Sequence, residues 1–210
     1  MVRILCIGDS HIPKRAKDLS EKIYNRLNKI TSLDPFDYTL FTGDIVNFPK
    51  LLDYLNLKTK NKLFIVMGNM DYYYGNRDAP LYQKLDIVFS DNEKITLGLT
   101  HGAQINPRGD LSQLENLAIE RKYDILISGH THKEEIVLTN KGILLLNPGS
   151  VTGAWSFVAS GIPSFIELDI NEVSKEILVD LVQIDKHSRE IFISKNSYFY
   201  KNDRITDSLV

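Results

Sequence analysis

The chain has 210 residues, a 43 % hydrophobic content and a formal net charge of −2, with 25 Lys and Arg against 27 Asp and Glu. That length buries roughly 70 % of the surface of the unfolded chain, so a sizeable core forms and a disordered chain is excluded. The charge balance argues against a nucleic-acid binder, which shows a basic excess or stripe; the one basic cluster is Lys14, Arg15 and Lys17.

Val2 to Ile7 predicts a buried strand, and it contains Cys6, the single cysteine, as a buried structural thiol with no disulfide available. This stretch is too short for a secretory signal, and no run approaches the roughly 18 apolar residues that span a bilayer. The expectation is a soluble, cytoplasmic protein. Leu19, Ile23, Leu27 and Ile30 recur at helical spacing and predict a helix over Asp18 to Ile30. Tyr38 to Thr42 follows as a strand, Leu51 to Leu55 as a short helix and Leu63 to Met67 as a third strand. This βαβαβ order implies parallel strands with crossover helices.

Ile87 to Phe89 and Ile95 to Leu99 predict neighbouring strands joined by the turn at residues 90–93. Leu111 to Arg121 reads as a helix capped by Asp110 or Ser112. A buried strand at Ile125 to Ile127 precedes a run of strands only: Glu135 to Thr139, Ile143 to Leu146, Ser164 to Ile170 and Ile177 to Ile184. Asn140-Lys141-Gly142 is a hairpin turn. The fold class is α/β, with two packed mixed β-sheets flanked by helices. Residues 1–185 are expected as one domain. Residues 186–210 are expected as an extension, either a hairpin turning at Lys195-Asn196 or a partly ordered tail.

Polar residues follow the strands in a repeated way. Ile7 leads into Gly8-Asp9-Ser10-His11, Thr42 into Gly43-Asp44 and Met67 into Gly68-Asn69-Met70-Asp71. Leu99 leads into Thr100-His101-Gly102, and Ile127 into Ser128-Gly129-His130-Thr131-His132. Open α/β sheets bind ligands outside the carboxyl ends of their strands, so these five ends would converge. Asp9, His11, Asp44, Asn69, His101, His130 and His132 are imidazole, carboxylate and amide donors suited to Mn, Zn or Fe ions. They are too many for one tetrahedral ion. They suit two divalent ions sharing a carboxylate, as in two-metal sites with ions ~3.5–4 Å apart. Each motif alone has an ordinary reading as a capped turn or strand end, and His187 lies outside the pattern as a surface histidine. Tyr72, Tyr73 and Tyr74 would lie near the mouth of such a site, to stack on a substrate base or a partner, or only to shield the rim.

Asp9-x-His11, Gly43-Asp44, Gly68-Asn69, His101 and Gly129-His130-x-His132 resemble the motif series of calcineurin-like metallophosphoesterases. Residues 8–13, 124–133, 147–154 and 163–165 further resemble the retromer-subunit branch of that fold, over about residues 1–185. The resemblance implies that Asp9, His11, Asp44 and His132 hold one ion. Asp44, Asn69, His101 and His130 would hold the other, with Asp44 bridging. It implies a scaffold subunit in endosomal protein sorting, whose partner is a helical-repeat protein met by the loop carrying Ile105, Asn106 and Arg108. Recruitment to endosomal membranes would come only through partners. The alternative it implies is a phosphodiesterase with a bridging-hydroxide mechanism.

Three departures bear on these expectations. Met70 stands where active members carry a histidine that helps the leaving group, a role typically worth 10²–10⁴-fold in rate. Any activity is therefore expected to be slow, with Asp71 as an orienting residue and no certain catalytic one. Asp44 is kept where retromer subunits often have Asn. Asn106 and Arg108 replace apolar residues of the expected helical-repeat interface, and Glu167 and Val182 replace larger apolar residues of a peptide-binding patch.

Overall fold

The computed structural model describes residues 1–207, and in it the strand-forming segments assemble into two mixed sheets. One is seven-stranded. Its order is β12 (Arg204–Asp207), β11 (Ile191–Lys201), β10 (Glu176–Ile184), β9 (Ser164–Ile170), β1 (Val2–Ile7), β2 (Phe36–Phe41) and β3 (Thr59–Ile65). The other is five-stranded: β4 (Tyr82–Val88), β5 (Lys94–Thr100), β6 (Ile125–Ile127), β8 (Leu144–Pro148) and β7 (Glu134–Leu138). The strands β1, β2 and β3 run parallel, as do β5, β6 and β8.

Alternation along the strands sets the layers. Ile4 and Cys6 of β1 point into a core shared with Leu97, Leu99, Ile125 and Ile127 of the other sheet. Leu5 and Ile7 point the opposite way, into a cluster with Ile23 and Leu27 of α1 (Glu21–Ile30) and Leu51 and Leu55 of α2 (Pro49–Leu57). On the outer face of the smaller sheet, Leu114 and Ala118 of α4 (Leu111–Arg121) join Leu126 and Leu145. The result is the expected pair of packed sheets flanked by helices. The third helix in chain order is α3 (Asn69–Tyr73), a single turn after β3. Cys6 is fully buried, and burial pushes its thiol pKa up, as a structural thiol requires.

Where boundaries differ from expectation, side-chain hydrogen bonds or edge polarity decide. Helix α1 starts at Glu21, because Ser20 takes the cap and its hydroxyl accepts from the Ile23 amide at 3.3 Å. Such a cap is worth ~1 kcal/mol. Asp18 instead accepts from the Tyr24 hydroxyl at 2.7 Å. Strand β3 begins four residues before the apolar run. It lies at the sheet edge, where the polar stretch from Thr59 pairs without needing a buried face.

The C-terminal segment corrects the sequence reading. Ile191–Lys201 is one eleven-residue strand paired from Ile191 to Phe199 with β10, and Lys195-Asn196 sits mid-strand opposite Asp180 and Val179. The chain reverses at Asn202-Asp203, whose φ values of 53° and 56° are those of a type I′ turn. Tyr198, Tyr200 and Ile205 enter the inter-sheet core, so these strands are packed and not a loose tail. Residues 208–210 lie outside the described residues. Among the described residues no helix is long and apolar enough to cross a membrane.

Candidate metal centre

The loops after β1, β2, β3, β5 and β6 meet at one end of the two sheets. Backbone bonds lace them: the Asp9 amide donates to Gly43 O at 2.9 Å, His11 to Asp44 O at 2.9 Å, and Gly129 to His101 O at 3.0 Å. Two glycines let carboxylates approach backbone. A Cβ on Gly68 would fall on Asp44 Oδ1, and one on Gly129 would collide with Asp9 Oδ2. Asp9, His11, Asp44, His130 and His132 all adopt positive φ, between 48° and 69°. That left-handed conformation costs a non-glycine residue of order 1–3 kcal/mol, and its concentration here marks a built site.

All seven predicted donors converge. Ligand atoms of Asp9, His11, Asp44 and His132 lie within 4.8 Å of one another. His11 Nε2 is 3.0 Å from His132 Nε2 and 3.3 Å from Asp44 Oδ2. His132 Nε2 is 3.2 Å from Asp9 Oδ1. A second group adjoins through Asp44. His101 Nε2 is 3.5 Å from Asp44 Oδ2, 3.1 Å from Asn69 Oδ1 and 3.2 Å from His130 Nδ1.

The hydrogen-bond chemistry tests whether a cation fits. His101 Nδ1 lies 2.8 Å from Thr42 O, and His132 Nδ1 lies 2.9 Å from Ala154 O. A carbonyl only accepts, so in each neutral ring Nδ1 carries the hydrogen and Nε2 a lone pair. These lone pairs then face the oxygens of Asp9, Asp44 and the Asn69 amide at 3.1–3.5 Å. Asp9 Oδ1 is buried with no hydrogen-bond partner. Such an array is repulsive by itself and becomes favourable around a cation, so the residues fit divalent ions.

Electrostatics agree. Burial pushes His11 down to about 3, helped by the nearby Arg15 charge, and burial and neighbouring cations including Arg108 push His130 down to about 3. Both rings are neutral donors at neutral pH. Burial raises the Asp9 carboxyl, but the imidazoles of His132, His101 and His11 in their charged forms outweigh it and hold Asp9 at about 2. Burial, with the charges of Asp9 and Asp71, pushes Asp44 up to about 6. A carboxyl so placed exchanges its proton for a metal ion at modest cost.

Asp71 orients, but not toward the donor cluster. Its Oδ2 accepts from the Asp44 amide at 2.7 Å and the Gly68 amide at 3.0 Å, and its Oδ1 from the Val46 amide at 2.8 Å. It clamps the β2 loop to the β3 loop. Met70 contributes its amide, which donates to Asp44 Oδ1 at 2.8 Å. Sequence reading missed a supporting set. Asn147 Nδ2 donates to Gly129 O at 3.0 Å, Ser150 Oγ to Asp9 O at 2.7 Å and Thr152 Oγ1 to Ser10 O at 3.0 Å. The Asn-Pro-Gly-Ser stretch at the end of β8 was the available signal.

The expected partner-binding residues divide. Ile105 is 7 % exposed and belongs to the core cluster with Leu114 and Ala118, so it offers no anchor. The Arg108 guanidinium donates to His130 O at 3.2 Å and so braces the donor loop. Asn106 is exposed, with its carbonyl held by Gln113 at 2.6 Å. Glu167 pairs with Arg26 at 2.7 Å, and Val182 is fully buried.

The profile of the calcineurin-like phosphoesterase superfamily domain matches residues 2–172. The chain belongs to the calcineurin-like phosphoesterase superfamily. A relative from Methanothermobacter thermautotrophicus, described as a probable metallophosphoesterase, is 36 % identical over 146 residues, which are 70 % of this chain and 75 % of that protein. Vacuolar Protein Sorting 29 from Cryptosporidium parvum superposes with a TM-score of 0.81 at 28 % identity, covering 95 % of this chain and 98 % of that one. Wild-type Vps29 from Entamoeba histolytica, solved in complex with zinc, gives 0.76 at 28 % identity over 93 % of this chain and 99 % of that one. The two-sheet architecture is that of the calcineurin-like phosphoesterase superfamily, and within it the candidate metal cluster occupies the carboxyl ends of the strands.

Proposed function

We propose that this protein is a metal-dependent phosphodiesterase that works with two divalent ions, slowly and best on good leaving groups. The observation that carries the reading is the complete donor set, with two groups of ligand atoms meeting at Asp44 Oδ2. Divalent ions in such a site neutralise phosphoryl oxygens and make water nucleophilic near neutral pH. The chain's own work is positional. Asp44 is fixed by the Met70 amide, and Asp71 holds the Asp44 loop by three amides. The Thr42 and Ala154 carbonyls set the rings of His101 and His132. Met70 has a thioether and no titratable proton, so no side chain at this position protonates a departing alkoxide. Aryl diesters, whose phenolates leave without a proton, are then the preferred substrates. The test is turnover of bis(p-nitrophenyl) phosphate in Mn²⁺, with Asp44→Ala as control. Metal-loaded protein that leaves the diester intact contradicts this reading.

A second reading is favoured by a separate observation. Vps29 structures cover nearly the whole chain, and Trp155, Phe157 and Val158 stand 64 %, 85 % and 46 % exposed beside the donor loops. In that reading the protein is a retromer-type scaffold whose metal face docks onto a helical-repeat partner, which carries it to endosomal membranes. A stoichiometric complex with a helical-repeat protein, isolated from the native cell and retained without metal turnover, supports it. A monomer that turns over diesters returns the assignment to the enzyme.

A further inference from the structure

Exposed aromatics stand on the segments that carry or hold the donors. Trp155 follows Ala154, whose carbonyl holds His132. It is 64 % exposed and packs edge-on against Phe157, with ring centres 5.0 Å apart. On another side Tyr72 and Tyr73 belong to the short helix that begins with the donor Asn69, and Tyr74 caps it. Tyr73 is 76 % exposed and packs edge-on against Tyr74 at 5.3 Å. One segment links the two sides. Lys14 Nζ sits 5.1 Å over the Tyr74 ring, and Arg15 Nη1 donates to Trp155 O at 2.7 Å. Lys14 and Arg15 lie three and four residues after the donor His11. Arg108 braces His130 at the same cluster.

Chemistry narrows what such a rim takes. Exposed rings of Trp and Tyr beside cations offer flat apolar faces next to anion-attracting charge. A group with its own π-face and an adjoining phosphodiester satisfies both, and stacking of a base on an aromatic side chain is tolerant of base identity. Alkyl diesters use only the charge. A long nucleic-acid strand would need a basic track, which the net charge of −2 and this small cluster do not supply. We infer that the substrates are short nucleotide diesters, with the phosphate at the donor cluster and a base stacked on the rim at Trp155. The exposed tyrosines that follow Asn69 would take a second base. The inference rests on the phosphodiesterase reading and names its substrate class.

Trp155 is the only tryptophan in the chain, so intrinsic emission reports the proposed contact directly. Mn²⁺-loaded protein is titrated with a dinucleoside phosphorothioate, which is slow to hydrolyse, and in parallel with dibutyl phosphate. Excitation is kept beyond nucleobase absorption. The dinucleotide is expected to quench Trp155 saturably and to bind about tenfold or more tighter than the alkyl diester, a ratio of the size that one stacked base supplies. Tyr73→Ala and Trp155→Phe, followed by calorimetry, should narrow that ratio with metal content unchanged. Equal affinities for the two diesters, or tight dinucleotide binding without quenching, overturn the rim assignment while leaving the phosphodiesterase reading intact. Failure of both diesters to bind the metal-loaded protein overturns that reading itself.

Discussion

Asp9, His11 and His132 approach Asp44 from one side, and none of the four is more than 2 % exposed. From the other side come His101, His130 and Asn69, and here His130 is 9 % exposed and Asn69 lies open on the first turn of α3. The first half is held by β1, by the β8 loop through Ser150 and Thr152, and by the Ala154 carbonyl. In the second half Asn69 relies on one short helix whose register is set by the Asp71 clamp. Rigid, dry donors keep an ion, whereas an exposed amide ligand exchanges one. On the proposed two-ion reading, the first half would hold its ion tightly and the second a more labile one.

The largest effect separates the shared ligand from the unshared one. Asp44→Ala should abolish binding of both ions, since its Oδ2 is common to the two groups. Asn69→Ala should lose only the labile ion, and metal analysis after gel filtration distinguishes the two outcomes. Equal loss in both variants would break the division into halves.

Met70→His comes next. A proton donor beside the labile half should raise turnover of alkyl diesters by ~10²–10⁴-fold and change aryl diesters far less, as steady-state rates on the two classes would reveal. An equal gain on both would mean that position 70 acts through something other than the leaving group.

Asp71→Asn should cost ~10–100-fold in affinity for the labile ion, because the carboxylate that holds the Asp44 and Gly68 amides is replaced by a group that presents a donor to backbone donors. Each stranded buried amide also destabilises by ~1–3 kcal/mol, so the melting temperature should fall with it. Calorimetric titration with Mn²⁺ gives the affinity, and an unchanged value contradicts the clamp.

The smallest effect is the pH dependence. Burial pushes Asp44 up to about 6 in the metal-free protein; burial disfavours charged His132, but the Asp9 carboxylate outweighs it and raises His132 above its ordinary value. Protons compete with metal at both. Affinity should be lowest in acid, rise through about pH 6 by roughly tenfold per pH unit for each proton displaced, and level off once both groups are deprotonated. Proton release measured in buffers of different ionisation heat checks the sign.

The donors were legible because five apolar strands each run into a Gly beside an Asp, Asn or His, and that punctuation survives in a single sequence. The two sheets followed from the same strand runs, and the helices from their apolar spacing. What was not legible depended on partners distant in the chain. Ile105 looked exposed beside Asn106 and Pro107, yet the helix that buries it begins six residues later at Leu111. Arg108 read as a surface anchor because nothing local shows that it reaches His130 O. The Lys195-Asn196 pair resembles a turn, but Asn202-Asp203 takes the left-handed conformations, and a strand too polar to announce itself continues through Lys195.

The most direct test of the two-ion centre is the metal stoichiometry of purified protein equilibrated with Mn²⁺, resolved by calorimetry into separate binding events. The account predicts two ions per chain, one tight and one weaker, with only the weaker lost in Asn69→Ala. A single event, or none, would contradict it.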